Sequence, residues 1–586
     1  MNIGIDFGST YSVVSKYNPL TDNAEAITFA EGEPASIPSV VSISKKGQVT
    51  TGKGAKDQAG KKTVRIFEGF KILLTEANRS MLKKRGYDDT YTPREITRCY
   101  LESTLKGVLA REGGDGYENV VICVPEIWGE NLTTLDGRMI LRTILQKEIS
   151  VPVKHVQVVT EPEAASAFFA YNYEKETGKL FNGHLLLIDY GGGTLDITLT
   201  EVSSSGQGSM EIGYREGGGA GENHPDTSGN GAIGSAGIAY MQAVVTRALR
   251  EAEILSEDEQ PDYTAPDFIG AVRDLESQLK SVERIHEIED TFASYGSYRD
   301  MKAILEEDLG DDNLFASLEY DGEEVPVTFQ QLFRCYQETI EPVLDSQVRE
   351  INRKVASHIG DDPCRPEAGV RDDFKIALVG GFGSFFLVKQ QLAEIYRLDA
   401  NAAIDLRTKN ITADKREQAI SLGAALLAAG KIVLQRTARY SIGLCTKDKS
   451  GRVNALYYGI KYHSIIEPGK PYFLLRPGAT EDLPENRVTW ASLYGNIESF
   501  VIEFSDRLDR GGLMDVKPEI LKRLKKLPVD GFWNCGFSLD ESDVVSFHVV
   551  PRPIPGLVSA HQGIVIQLDS YSRMFDLSAI REVSVK

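Results

Sequence analysis

Two carboxylates flanking a run of glycines, Asp189-Tyr190-Gly191-Gly192-Gly193-Thr194-Leu195-Asp196, are the residues whose types and spacing first point to chemistry. An apolar stretch, Leu185 to Ile188, leads into them, and another, Ile197 to Leu199, leads away. The pattern predicts a hairpin: a strand entering a carboxylate, a tight turn that glycine permits, and a second strand carrying Thr194 and Asp196. Bare N–H groups on Gly191 to Gly193 can surround phosphate oxygens with no side chain in the way. Asp189 stands where a magnesium ion and its waters would sit. A plain glycine-rich hairpin is the alternative for this segment taken alone.

The stretch Ile3-Gly4-Ile5-Asp6-Phe7-Gly8-Ser9-Thr10-Tyr11-Ser12-Val13-Val14 repeats the same grammar. Two such hairpins, far apart, suggest duplicated half-domains that each offer a phosphate loop and one acidic group to a shared cleft. A further carboxylate, Glu161, falls where the strand Val156 to Thr160 meets a helix opened by Glu161-Pro162-Glu163-Ala164-Ala165-Ser166-Ala167, with Pro162 in its first turn. A carboxylate at such a junction faces a crevice more often than a core; helix capping is the alternative. Two apparent nucleotide motifs are decoys. Gly54 to Thr63 resembles a P-loop but has one residue too many between its glycines and an extra lysine. Gly229-Asn230-Gly231-Ala232-Ile233-Gly234 is formally a GxGxxG, yet no apolar strand precedes it. The helix expected from Ser235 or Ala236 could still turn its N-terminus toward a phosphate, which keeps Gly234 as a candidate.

The elements that must position these residues follow the same logic. Asn119 to Val124 is a buried-strand pattern ending at Pro125, with a helix expected to about Gln146. Glycine and serine dominate from Ser203 to Gly237, predicting a flexible excursion. Residues 251–323 are strongly acidic and read as solvated faces. Within them a helix is predicted over Val272 to Glu283, with Glu276 and Lys280 one turn apart. After Leu434 short alternating strands take over, among them Ser441 to Leu444, Val501 to Phe504, Val544 to Val550 and Gly563 to Leu568; one basic helix, Pro518 to Leu527, interrupts them.

At 586 residues the chain is too long for one core, so two or more domains are expected. A formal net charge of −20 argues against nucleic acid as the main partner but not against a bound nucleotide, which backbone N–H groups and a metal can hold locally. The six cysteines form no Cys-x-x-Cys pair and read as reduced thiols. No apolar run approaches a membrane span and no leader precedes the first strand, so a cytoplasmic protein without a membrane partner is expected.

Asp6-Phe7-Gly8-Ser9-Thr10-Tyr11-Ser12 resembles the first phosphate loop of the 70-kDa heat-shock (DnaK-type) chaperones, within the superfamily of actin, sugar kinases and heat-shock ATPases. Ile37-Pro38-Ser39-Val40-Val41 is similar to a strand segment that follows in that family, and Glu-Pro-x-Ala-Ala after a strand is among its more specific signatures. Lys71, in Phe70-Lys71-Ile72-Leu73, falls where the family carries its active-site lysine, with a surface lysine as the alternative. Glu276 and Lys280 are the best local match to a helix that grips ribose and adenine in the family. Asp373 to Ser384 resembles its adenosine loop, with Gly380 and Gly381 letting a nucleotide near the backbone. The arginine that packs on adenine in the family is absent here. Ser384 stands nearest its place, and Phe382, Phe385 or Phe386 could supply a stacking face. Glu417 to Ala425 resembles the helix that closes the nucleotide domain.

The resemblance covers residues 1–435 and implies an α/β fold: a two-lobed actin-like ATPase of duplicated ribonuclease H-like halves, followed by a smaller β-rich C-terminal domain, residues 436–586. Tyr440 to Phe473 is similar to the start of the family's β-sandwich substrate domain. The family's acidic, leucine-rich linker is replaced by Lys431-Ile432-Val433-Leu434-Gln435-Arg436, and no long helical lid is expected after the strands. The cofactors implied are ATP or ADP with Mg²⁺. By the resemblance, Asp6 and Asp189 hold the waters of the metal, while Gly8, Ser9, Thr10 and Tyr11 with Gly191, Gly192, Gly193 and Thr194 bind the β- and γ-phosphates. Lys71 and Glu161 position the attacking water, Thr194 touches the γ-phosphate and Asp196 manages the proton, in a reaction that needs mostly positioning and charge stabilisation. The implied partners are an unfolded polypeptide or a specific protein client, with a co-chaperone or exchange factor. Two other readings within the superfamily stay open: an actin-like ATPase acting as nucleotide switch or filament, and a small-molecule kinase.

Overall fold

The computed structural model describes residues 1–29, 34–58, 61, 63–125, 128, 137–206, 209–221, 236–263, 265–305, 314–365, 373–383, 385–397, 418–434, 436–438, 441–447, 453–461, 464–493, 497–503, 511–515, 522, 533–540, 544–552 and 563–570. Two compact units emerge: Met1–Ile127 with Ile140–Leu434, and Trp128–Met139 with Gln435–Lys586.

The first unit is built on two sheets of the same design. In one lobe, β1 (Asn2–Asp6), β2 (Tyr11–Asn18), β3 (Asn23–Ala26), β4 (Tyr117–Val124) and β5 (Val153–Thr160) lie in the order β3-β2-β1-β4-β5. β1 runs antiparallel to β2 and parallel to β4, and β4 runs parallel to β5. In the other lobe, β6 (Gly183–Tyr190), β7 (Thr194–Gly206), β8 (Ser209–Gly221), β9 (Phe374–Val379) and β10 (Val433–Leu434) lie in the order β9-β6-β7-β8-β10. Here too the first strand is antiparallel to its hairpin partner and parallel to its other neighbour. The duplication predicted from two short motifs therefore extends to whole sheets. The chain adopts the expected α/β, two-lobed actin-like fold followed by a β-rich C-terminal region.

Four helices matter most to the site: α1 (Glu161–Thr177), α2 (Gly237–Glu251), α3 (Pro266–Lys280) and α4 (Ala419–Ala428). Thr160 caps α1 in a capping box with Glu163, Pro162 occupies its first turn, and Gly178, at φ 67°, ends it. α4 is buried along its whole length and packs on both α1 and β1. Its small residues allow an unusually close approach: a Cβ on Gly423 would lie 1.7 Å from the Ala164 carbonyl oxygen, and one on Gly4 of β1 would lie 2.2 Å from the Ala425 nitrogen.

Three expectations about elements change. Residues 203–206 and 209–221 are not a flexible excursion but parts of β7 and β8. Glycine has poor strand propensity, yet Gly217, Gly218 and Gly219 pair with Thr198, Ile197 and Asp196, and Ile351 of the helix Glu341–Ile359 lies 4.0 Å from where a Cβ on Gly218 would be. Ladder hydrogen bonds and that overlying helix fix a segment whose composition alone reads as loop. Second, the helix predicted over Val272 to Glu283 is α3 plus a separate helix from Val282, because Ser281 breaks the first and caps the second, its hydroxyl accepting from the Arg284 N–H at 3.2 Å. Third, of the helix predicted from Pro125 to about Gln146, residues 126–127 and 129–136 lie outside the described residues. The remainder is helical over Gly137–Thr143 and passes into a wider π-helical turn over Ile144–Glu148.

The second unit holds two four-stranded antiparallel sheets. One is ordered Val453–Ile460, Ser441–Lys447, Ile497–Glu503, Gly511–Asp515; the other Tyr472–Phe473, Trp533–Leu539, Val544–Pro551, Ile564–Ser570. Ile442 and Leu444 from the first share one core with Trp533, Cys535, Phe537, Val545, Phe547 and Val549 from the second, at the alternate positions a half-buried strand requires. The basic helix predicted over Pro518 to Leu527 lies, apart from Lys522, outside the described residues. None of the six cysteines is in a disulfide, and no helix among the described residues is long and apolar enough to cross a membrane.

The packing of α4 yields a test. Gly423→Ala places a methyl group against a main-chain carbonyl that cannot yield, so urea unfolding should show a loss of about 1–3 kcal/mol. Gly430→Ala, where a Cβ meets nothing within 4 Å, isolates the backbone cost, since Gly430 has φ +67°.

Candidate active site

Each sheet contributes one turn to the site. Asp6 ends β1, and the chain turns sharply before β2. A Cβ on Gly8 would lie 1.9 Å from the Tyr11 carbonyl oxygen, so only glycine fits. Ser39 braces this turn: its hydroxyl donates to the Gly8 carbonyl at 2.7 Å and lies 3.0 Å from the Ser12 hydroxyl, and its N–H donates to the Thr10 carbonyl at 2.8 Å. In the second sheet Asp189 stands opposite Asp196, and the Gly191 N–H donates to the Thr194 carbonyl at 2.9 Å. The two turns face each other. A Cβ on Gly192 would lie 3.1 Å from Thr10 Oγ1, and one on Gly193 would lie 3.8 Å from Ser9 Oγ and 3.2 Å from Ile72.

The helix expected to aim its N-terminus at a phosphate instead supports the second turn. The N–H groups of Gly237 and Ile238, at the start of α2, donate to the carbonyls of Gly191 and Gly192 at 3.3 and 2.8 Å. Gly234 itself lies outside the described residues.

Between the turns sits an excess of buried negative charge. Lys71, on the short helix Phe70–Leu73, places its Nζ 2.5 Å from Glu161 Oε1, and both residues are buried, at 4% and 6% exposure. Asp189 and Asp196 are buried as well. Burial, reinforced by repulsion from Glu161 and opposed by Lys71, pushes the Asp6 carboxyl up to about 7. Asp189 is held well above the usual carboxylate range by burial and by Glu161, Asp196 and Asp6. Burial works against the Lys71 ammonium, but Glu161, Asp6 and Asp189 outweigh it and raise its pKa.

Carboxylates that ionise reluctantly beside a single ammonium, beneath two glycine turns, fit a hard cation that arrives with phosphate oxygens. No three imidazole, thiolate or carboxylate groups among the described residues converge as a protein-only metal cage.

The nucleoside-side candidates are distributed over other elements. On α3, Lys280 pairs with Glu276 at 2.7 Å and sets its ammonium 4.3 Å from the centre of the Tyr11 ring. Gly380 has φ +83°, and a Cβ there would lie 2.4 Å from Asp189 Oδ1 and 2.5 Å from the Tyr190 carbonyl, so the loop after β9 leans directly on the second turn. Gly381 is exposed, and Ser384 lies outside the described residues. The phenylalanines are partly committed to packing: Phe382 and Phe385 stack at 5.4 Å, Tyr190 meets Phe382 edge-on, and Phe386 stacks on Phe292. Sequence reasoning missed two supports. Ser39 was visible only as part of a strand-like segment. Lys56, inside the rejected P-loop decoy, donates to the Tyr11 hydroxyl at 2.8 Å and faces its ring. No spacing rule connects either residue to its target.

Comparison with known proteins agrees with this architecture. The family model described as Hsp70 protein matches residues 2–215. The chain is similar to the chaperone protein DnaK of Thermosipho africanus, with 24% identity over 427 residues, covering 73% of this chain and 58% of that protein. It is also similar to the chaperone protein DnaK of Thermotoga neapolitana, 30% identical over 210 residues, 36% of this chain and 31% of that protein. For the chaperone protein DnaK of Nitrosopumilus maritimus the values are 31% over 215 residues, 36% and 30%. The matches thus span between about a third and three-fifths of these relatives' length. The resemblance read from the motifs thus has a counterpart in these comparisons, which make the chain similar to Hsp70 proteins, the family model over residues 2–215 and the DnaK chaperones at low identity beyond them.

Charge burial at Asp6 yields a pH test. Its folded pKa, about 7, lies above the unfolded value near 3.8, so the folded state binds the proton more tightly. Stability on this account is intact below about pH 4 and falls as the pH rises through 7. Asp6→Asn should therefore raise the melting temperature of the nucleotide-free protein at pH 8 by roughly 3 °C or more, with the gain shrinking toward zero at pH 4. An equal gain at both pH values contradicts the assignment.

Proposed function

From this kinship with the Hsp70 proteins, we propose that residues 1–435 form an ATP-binding, slowly ATP-hydrolysing domain and residues 436–586 a β-rich partner domain, together an atypical Hsp70-like chaperone of the cytoplasm. The client is an unfolded or specific polypeptide, released and recaptured as the nucleotide changes, with an exchange factor or co-chaperone as the natural accessory. The observation that carries this reading is the buried Lys71–Glu161 pair set between two facing, aspartate-ended glycine turns.

The N–H groups of Gly8 to Tyr11 and Gly191 to Thr194 hold the β- and γ-phosphates, with Thr194, half-buried at the start of β7, against the γ-phosphate. Asp6 and Asp189 would hold a magnesium ion through its waters, and such an ion would supply positive charge to the phosphates. Lys71, fixed by Glu161, places its positive charge toward the transferring group, and Glu161 orients the attacking water. Asp196, across the ladder from Asp189, takes up the proton. Gly380 and Gly381 admit the nucleoside, with Glu276, Lys280 and the Ser384 region on its flanks. A water-ordering pair at the centre favours hydrolysis over transfer to a small-molecule acceptor, and therefore a chaperone-like ATPase over a kinase.

Coupling is supported by the connector. Val433–Leu434 form β10, an edge strand of the second sheet, and Arg436–Thr437 already pair with Ile465–Ile466 in the second unit. Only Gln435 separates the two strands.

Single-turnover phosphate release from Mg-ATP tests the chemistry. Lys71→Ala should slow it by about 100-fold or more while fluorescent ADP still binds. Absence of nucleotide binding in the wild type rejects the reading. For the chaperone part, affinity for an unfolded polypeptide should differ between ATP and ADP by at least about tenfold, and equal affinities reject a coupled cycle.

A further inference from the structure

A buried hydroxyl lies on the strand that carries Asp196. Thr198, in β7, is 0% exposed, and among the described residues its Oγ1 has no hydrogen-bond partner. Burying an unpaired hydroxyl is costly, and valine would fill the same place on a strand without that cost. Thr200, two residues on, shows the ordinary solution. It is equally buried, yet its hydroxyl donates to the Leu185 carbonyl at 3.4 Å and lies 3.0 Å from the hydroxyl of Ser166 in α1.

The position of Thr198 says what its hydroxyl can serve. Side chains two residues apart on a strand share a face, so Thr198 lies on the face of Asp196, about 7 Å along β7. Asp196 is buried and stands opposite Asp189 across the ladder, while Thr198 stands opposite Leu187. On the other flank, in β8, the ladder partners of Asp196 and Thr198 are Gly219 and Gly217. No side chain projects from β8 beside either residue. Gly218, between them, turns to the other face, where Ile351 lies 4.0 Å from the place of a Cβ. A carboxylate and a hydroxyl on one buried face, flanked by two residues without side chains, supply the polar lining and the room that a buried water needs. A water bonded to both spans about 5–6 Å, which side chains rooted about 7 Å apart can meet.

We propose that Thr198 holds a buried water against Asp196 and is, through that water, a positioning residue for the carboxylate that takes up the proton. This deepens the proposed function and rests on it, since that reading gives Asp196 its role. It adds no chemical step. The Thr198 hydroxyl donates to the water and the water donates to Asp196, which fixes the rotamer of the carboxylate and keeps its acceptor oxygen aimed at the reacting water. Valine at this place would keep the packing and lose the water, so the carboxylate would turn among rotamers and meet the proton less often in the right geometry.

Two variants of the full chain test this: Thr198→Val, which keeps the shape, and Thr198→Ser, which keeps the hydroxyl. High-resolution crystals of the nucleotide-free wild type should show a water within about 3.2 Å of both Thr198 Oγ1 and an Asp196 carboxylate oxygen, retained in Thr198→Ser and lost in Thr198→Val. A wild-type Thr198 hydroxyl that meets no water, or a water that persists in Thr198→Val, overturns the proposal. In single-turnover phosphate release from Mg-ATP, Thr198→Val should be slower by about tenfold or more with ADP affinity within about twofold of wild type, and Thr198→Ser should recover to within about threefold. An unchanged rate in Thr198→Val, a parallel loss of ADP affinity, or no recovery in Thr198→Ser overturns the positioning role. These outcomes presuppose a wild type that hydrolyses ATP; a wild type that does not removes the proposed function itself and the positioning role with it.

Discussion

The structure depends on one electrostatic constraint: several carboxylates are buried around a single lysine. Asp6, Glu161, Asp189 and Asp196 come from four different strands or helices, and among the described residues Lys71 is the cation set against them. Breaking a buried pair such as Lys71–Glu161 costs about 3–5 kcal/mol, because the remaining charge is left without water or partner. The rest of the site arrangement follows from keeping these groups in place. Asp6 and Asp189 are fixed by sheet ladders, Glu161 by a capped helix start, and Lys71 by a short helix packed under Phe7 and Tyr100. Concentrating like charge in this way costs stability unless a proton or a cation offsets it.

Duplication solves the positioning problem with one device used twice. A hairpin whose first strand ends in aspartate presents a turn of N–H groups at the same edge of each sheet, and parallel strands on the far side leave that edge open as a crevice. Between the sheets α1 and α4 touch so closely that main chain meets main chain at Gly423 and Ala164. Such a contact leaves no room for a side chain between the two helices, so glycine is required there.

The second unit follows different physics. Its strands alternate, and its sheets share an apolar interior of Trp533, Phe537 and Phe547. A sheet edge is a natural place to dock or release a strand, since the exposed N–H and C=O groups gain partners on one side only. Val433–Leu434 are accordingly sheet members, as are Arg436–Thr437.

Much was determined by the sequence alone, wherever local chemistry is decisive. Asp-to-glycine turns after apolar strands, Thr160 and Pro162 at a helix start, and alternation after Leu434 each obey short-range rules of backbone geometry and capping, so hairpins, helix α1 and the β-rich end were legible. Only the tertiary structure decided what depends on distant neighbours. Gly217 to Gly219 became strand because a ladder and a helix hold them; Lys56 and Ser39 became supports of the first turn because folding brings them there; Lys71 and Glu161, 90 residues apart, became an ion pair. Composition reports what a segment prefers when alone. The buried charge at the centre of this protein sets pKa values and partners through space, and no spacing along the chain encodes that.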